Sequence, residues 1–112
     1  MDSQTPPNAV FIVFTTWPDA ETARIAVRKL VDEQRVACGN LVPGVESIYR
    51  WQGKVETSSE VLVIFKTTAA RYPELETRIR ELHSYEVPEI IALPAGAGLP
   101  AYLQWVGESC RG

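Results

Sequence analysis

Residues 36–66 read VACGNLVPGVESIYRWQGKVETSSEVLVIFK, and the fold turns on them. Two runs rich in β-formers flank Gln52-Gly53, whose glycine supplies the positive φ of a tight hairpin turn. Val36 to Val42 and Val45 to Trp51 form the outgoing strand. Pro43-Gly44 interrupts it, which predicts a bulge or kink. Lys54 to Lys66 is the returning strand: Lys54 to Glu60 is mostly polar, and Val61 to Phe65 is apolar throughout. Strands of about 15 and 13 residues make a hairpin about 45 Å long. A domain of this size is only about 30 to 35 Å across. The tip end, carrying Val45, Ile48, Tyr49, Trp51 and Val55, therefore overhangs. Bare paired strands of that composition are sticky. The overhang predicts an obligate oligomer in which another subunit covers the ribbon by strand pairing.

Upstream, Ala9 to Thr16 is a continuous apolar run that reads as a strand buried on both faces, hence central in its sheet. Trp17-Pro18-Asp19 stops it, with Asp19 a natural N-cap. Ala23, Ala26, Val27, Leu30 and Val31 then fall on one helical stripe that ends near Gln34. Downstream, Thr67-Thr68 opens a second helix running to about His83, with Tyr72, Leu75, Ile79 and Leu82 inward. Val87 to Pro94 is a fourth strand opened by Pro88. Leu99 to about Glu108 is a short closing helix. The order βαββαβ plus a terminal helix is the α+β, ferredoxin-like split βαβ arrangement, an antiparallel sheet with helices on one face.

The surrounding chain limits the function classes. At 112 residues it is one domain, expected over 9–108 between a flexible leader, 1–8, and a tail, 109–112. Lys plus Arg number 11 against 14 Asp plus Glu, a net charge of −3, so no basic face is available for a phosphate backbone or an anionic membrane. No apolar run approaches the roughly 20 residues of a membrane span. Two cysteines, Cys38 and Cys110, make no disulfide framework, and no secretory signal is read at the start; the expected address is the reducing cytoplasm.

Five stretches carry a specific likeness. Ala37-Cys38-Gly39-Asn40-Leu41-Val42-Pro43-Gly44, Ser47-Ile48-Tyr49-Arg50-Trp51-Gln52-Gly53-Lys54, Glu60-Val61-Leu62 leading to Lys66-Thr67, Leu82-His83-Ser84-Tyr85-Glu86-Val87-Pro88-Glu89-Ile90-Ile91 and Tyr102-Leu103-Gln104-Trp105-Val106 together resemble the CutA family. The likeness covers about residues 9 to 107. Gly39 stands where a larger residue is common, and Ser84 where many relatives have proline. The resemblance implies a ferredoxin-like subunit in a homotrimer with interlocking hairpins. It also implies a link to divalent-cation tolerance, copper above all, a kinship with PII-like signalling proteins, and no established enzymatic activity.

Two sets of residues point to chemistry. His83, the only histidine, follows the second helix near Glu86 and Glu89, and Cys38 supplies a soft donor; these four are the candidate ligands for Cu(2+) or another divalent cation, which folding does not require. Against that, His83 suits a helix C-terminus, and Cys38 inside a strand suits a small buried hydrophobe. Cys110 is expected to be an exposed, incidental thiol. With no CxxC and no paired histidines, a tight metal site would draw donors from two subunits. The second set is a ligand cleft of Tyr49, Trp51, Glu60, Lys66 and Tyr85, joined by Glu86 and Glu89, with aromatic walls and several carboxylates. Interfacial ion pairs and anchoring aromatics account for the same residues equally well.

Three rivals for the fold fail on the residues. The loop after the first strand, Thr16-Trp17-Pro18-Asp19, has neither a metallochaperone's CxxC nor an acylphosphatase-type arginine cradle, and Val61 to Phe65 lacks an RNA-recognition domain's alternating aromatics. The surviving readings are a metal-responsive trimer, a PII-like trimer holding a small molecule in intersubunit clefts, and, last, an enzyme using Tyr85 or Glu86 as acid or base.

Overall fold

The computed structural model describes residues 5–111. The chain runs β1 (Val10–Trp17), α1 (Ala20–Asp32), β2 (Cys38–Trp51), β3 (Lys54–Thr68), α2 (Tyr72–Leu82), β4 (Ile90–Pro94) and α3 (Pro100–Ser109). The four strands form one sheet in the order β2-β3-β1-β4, with every pairing antiparallel. This is the expected ferredoxin-like arrangement, with β1 central.

Local chemistry accounts for each boundary. The Asp19 carboxylate accepts the Thr22 backbone N–H at 2.7 Å and starts α1. α1 ends in a left-handed Gln34 (φ 59°), with Gln34 N–H donating to the Val31 carbonyl and Arg35 N–H to the Leu30 carbonyl, the two bonds of a Schellman cap. The ribbon tip has Gln52 at φ 50° and Gly53 at φ 81°, the two positive angles of a type I′ turn. The Pro43-Gly44 interruption is a bulge: the register shifts between Val42 and Val45, and Gly44 sits at φ 78°.

Three boundaries differ from the sequence reading. Thr67 and Thr68 end β3, pairing with Phe11 and Val10, instead of opening a helix. The Thr67 hydroxyl donates to the Arg35 carbonyl at 2.6 Å, which keeps it in the sheet. β4 begins at Ile90, so Pro88 lies in the segment leading to the strand and does not open it. The outgoing strand begins at Cys38, although Ala37 N–H still donates to the Lys66 carbonyl. The expected leader falls partly on residues 1–4, outside the described residues. Of the remainder, Pro7 accepts Ala70 N–H at 3.0 Å.

α1 and α2 cover one sheet face. Val13, Trp17, Val63 and Phe65 from the strands meet Leu30, Leu75 and Ile79 from the helices, all fully buried. Gly39 lies in this layer, where a Cβ would stand 2.9 Å from Val27 Cγ1 and 3.0 Å from the Phe65 ring. That close approach explains why glycine occupies the position. α3 makes a second, smaller cluster with Val10, Ala37 and Cys110. Cys110 is buried there, contrary to the expectation of an exposed thiol, because the end of α3 packs down on Val10 and Ala37.

The other sheet face is apolar and, beyond its Val10 end where α3 packs, uncovered among the described residues. Strand alternation places Ile12, Phe14, Leu62, Ile64, Ile91 and Leu93 on it, and the register sets Ile12 beside Leu93 and Phe14 between Ile64 and Ile91. Ile91 is 54% exposed and Leu93 48%. The longest dimension of the molecule is 42 Å against 28 and 25 Å, because the β2-β3 ribbon extends past the body.

Candidate functional site

A cleft of about 590 Å³ opens where the ribbon leaves the body. One wall is the ribbon, with Ser47, Ile48, Tyr49 and Trp51; the other is the segment after α2, with Tyr85, Glu86, Val87 and Glu89; Thr16 and Glu60 lie between them. Of the cleft residues expected from sequence, Tyr49, Trp51, Glu60 and Tyr85 line it. Glu86 and Glu89 join them. Thr16, Ser47, Ile48 and Val87 were not anticipated.

Lys66 is a correction. It shares a strand face with Glu60, but six residues of β3 span about 20 Å. Lys66 instead donates to the Asn40 side chain on the neighbouring strand. The proposed metal set does not come together within one chain. Cys38 pairs with Lys66 in the sheet, and its sulfur lies 3.7 Å from the Tyr102 hydroxyl. His83 meets the chain at Thr16, whose partner is Leu62, about 13 Å of strand away. Cys38 is half-buried at the sheet edge rather than a core hydrophobe. Among the described residues, no three His, Cys, Asp or Glu side chains converge to hold a metal ion.

His83 is held by both ring nitrogens. Tyr85 N–H donates to Nδ1 at 3.1 Å, so Nε2 carries the proton and donates to the Thr16 carbonyl at 2.7 Å. The ring stacks on Trp17, with centroids 4.2 Å apart. The structure thus favours the packing role of His83 over ligation. The ring ties β1 to the segment that walls the cleft, and a ligand at either nitrogen would break one of those ties.

Glu60 sits at the inner end of the cleft, only 7% exposed. Tyr85 Oη donates to its Oε2 at 2.9 Å. Burial, then the bond to Glu60 and its negative charge, push the Tyr85 phenol from 10.0 up to about 12. The folded value lies above the unfolded one, so this group's contribution to stability is full below pH 10 and is lost as pH rises to about 12. Tyr72, half-buried and bonded to Glu76, is likewise raised to about 12. The Tyr102 phenol is raised as well, by its bond to Cys38 and by burial, so a tyrosinate absorbance titration of the native protein is expected to have a late phase to which Tyr72, Tyr85 and Tyr102 contribute. Tyr85→Phe should remove one phenol from that phase; a late phase of unchanged amplitude would refute the Tyr85–Glu60 bond.

The fold and cleft define a ferredoxin-like ribbon protein with an acidic, aromatic-walled groove. The model of the family described as CutA1 divalent ion tolerance protein matches residues 11–109. The chain is 47% identical over 98 residues to the divalent-cation tolerance protein CutA of Thermus thermophilus, covering 88% of this chain and 95% of that one. It is 44% identical over 102 residues to the human Protein CutA, covering 91% of this chain and 57% of that one. It thus spans little more than half the length of its mammalian relatives. The crystal structure of CutA from Xylella fastidiosa superposes with a TM-score of 0.89 at 42% identity, covering 91% of this chain and 98% of that one. The chain belongs to the CutA1 divalent ion tolerance family. The Archaeoglobus fulgidus relative, 30% identical with a TM-score of 0.88 over 91% of this chain and 99% of its own, is described as periplasmic.

Proposed function

We propose that this chain is a non-enzymatic, cytoplasmic homotrimer that serves divalent-cation tolerance by binding divalent metal, copper foremost, in the seams between copies. The observation that carries this reading is the cleft at the root of the overhanging ribbon, whose exposed rim bears Glu86 and Glu89. Neither carboxylate has a salt-bridge partner among the described residues. Too few donors converge among the described residues of one chain, so donors from two copies would complete a site. Copper(II) accepts oxygen donors and tops the affinity order of the divalent ions. The bare sheet face and the ribbon are the surfaces a trimer would bury. A non-enzymatic role is supported by His83: the only imidazole commits both nitrogens to structural bonds and is not free to activate Ser47.

Titration calorimetry with copper chloride tests the metal reading. Glu86→Gln together with Glu89→Gln is expected to weaken binding by about tenfold or more. Cys38→Ala should leave it unchanged, because that sulfur lies outside the cleft. Identical isotherms for the wild type and the double carboxylate variant would remove the rim from the site.

A further inference from the structure

Glu60 is a buried carboxylate with no cation beside it among the described residues. Its side chain is more than nine-tenths buried. Tyr85 hydrogen-bonds Oε2, and Oε1, with no protein partner among the described residues, is left open to the cleft. A carboxylate so placed is costly unless a positive charge joins it. The cleft that Glu60 lines gives such a charge a way in.

The surroundings select the kind of cation. A bare divalent ion needs several oxygen donors at once to replace its hydration shell. Among the described residues, no group of three or more His, Cys, Asp or Glu side chains gathers around Glu60 to provide them. An organic ammonium is larger and more weakly hydrated. One carboxylate and an aromatic face suffice for it, because the ring quadrupole attracts the charge while the ring covers the carbon groups. Tyr49 and Tyr85 line the cleft on either side of Glu60. Tyr49 is fixed by a 2.7 Å bond to Ser58, and Tyr85 is braced against His83 with ring centroids 4.6 Å apart. The rings are thus held in place before any ligand arrives.

We propose that the inner end of this cleft is a binding site for a small organic ammonium ion, with Glu60 as its counter-ion and Tyr49 and Tyr85 as its aromatic walls. The site is independent of metal at Glu86 and Glu89, so either reading can fail without the other.

Choline and its uncharged isostere 3,3-dimethylbutan-1-ol are the probes, used with the full chain and with EDTA present to remove metal. Saturation-transfer NMR and calorimetry are expected to give saturable choline binding, with the isostere weaker by about tenfold or more. Glu60→Gln keeps the acceptor for Tyr85 but removes the charge, and should weaken choline to the level of the isostere. Tyr49→Leu, on the exposed ribbon and away from the core, should weaken choline by several-fold while circular dichroism is unchanged. Equal binding of the two probes, no saturable binding, or choline binding indifferent to Glu60→Gln would overturn the proposal. So would a Glu60→Gln variant that changes oligomeric state while choline fails to bind the wild type, which would assign the missing positive charge to a second copy of the chain.

Discussion

Trp17→Ala is expected to lower unfolding free energy by about 3–5 kcal/mol, the range for removing a fully buried large aromatic. Trp17 is 0% exposed in the layer between the sheet and α1/α2. Its indole N–H donates to the Thr15 hydroxyl at 2.7 Å, and that hydroxyl donates on to the Val63 carbonyl at 3.1 Å. The indole also supports the His83 ring. The variant therefore removes packing, a hydrogen bond and the surface on which the cleft-bracing imidazole rests. Trp17→Phe keeps most of the buried area, and the Thr15 hydroxyl keeps Val63; it should lose about 1–2 kcal/mol. Guanidinium chloride midpoints at one fixed protein concentration measure both, since oligomerisation links stability to concentration. Equal losses would mean that the hydrogen bond, not burial, carries the effect.

Ile91→Asp together with Leu93→Asp is expected to convert the proposed trimer into a folded monomer. Both side chains are about half exposed in the single chain and lie on the bare sheet face. Ile90 and Ala92, which alternate with them, point to the core and are unchanged. Each large aliphatic side chain fully buried at an interface contributes about 1.5–3 kcal/mol, and a carboxylate forced there adds a desolvation penalty. The association constant should fall by on the order of a thousandfold or more. Sedimentation velocity reads the assembly and circular dichroism reads the fold. A double variant that sediments like the wild type would show that this face is not what holds copies together.

Much of this architecture is legible in the residues, for reasons of period and punctuation. The apolar run of β1, the stripe of α1 and the Gln52-Gly53 turn each carry their own local signal, and Pro43-Gly44 marks its bulge. The errors arise where a long-range partner overrides local chemistry. Thr67 and Thr68 look like a helix start, but Arg35 supplies a carbonyl for the Thr67 hydroxyl, and β1 supplies strand partners. Val87 to Glu89 looks like strand, but His83 has already captured the Tyr85 backbone and turned this segment into the cleft wall. The site follows the same logic. Tyr49, Trp51, Glu60 and Tyr85 were readable because hairpin register brings the first three to one face. Lys66 shares the parity of Glu60 and not its position, a distinction that alternation alone does not make. The pairing of Trp17 with His83 has no sequence signal at all: the two residues are 66 apart and meet only after β1 and α2 have packed.

The bulge at Pro43-Gly44 has a consequence for how the ribbon can change length. Below it, β2 is locked to the core through Leu41 and Gly39; above it, the arm is paired only with itself. Adding one residue to each strand of the arm would turn Tyr49 and Trp51 away from the groove and present their neighbours to it. Adding two would lengthen the arm and restore every facing. Insertions compatible with a working groove should therefore come in even steps, matched on both strands, and sit between the bulge and the tip.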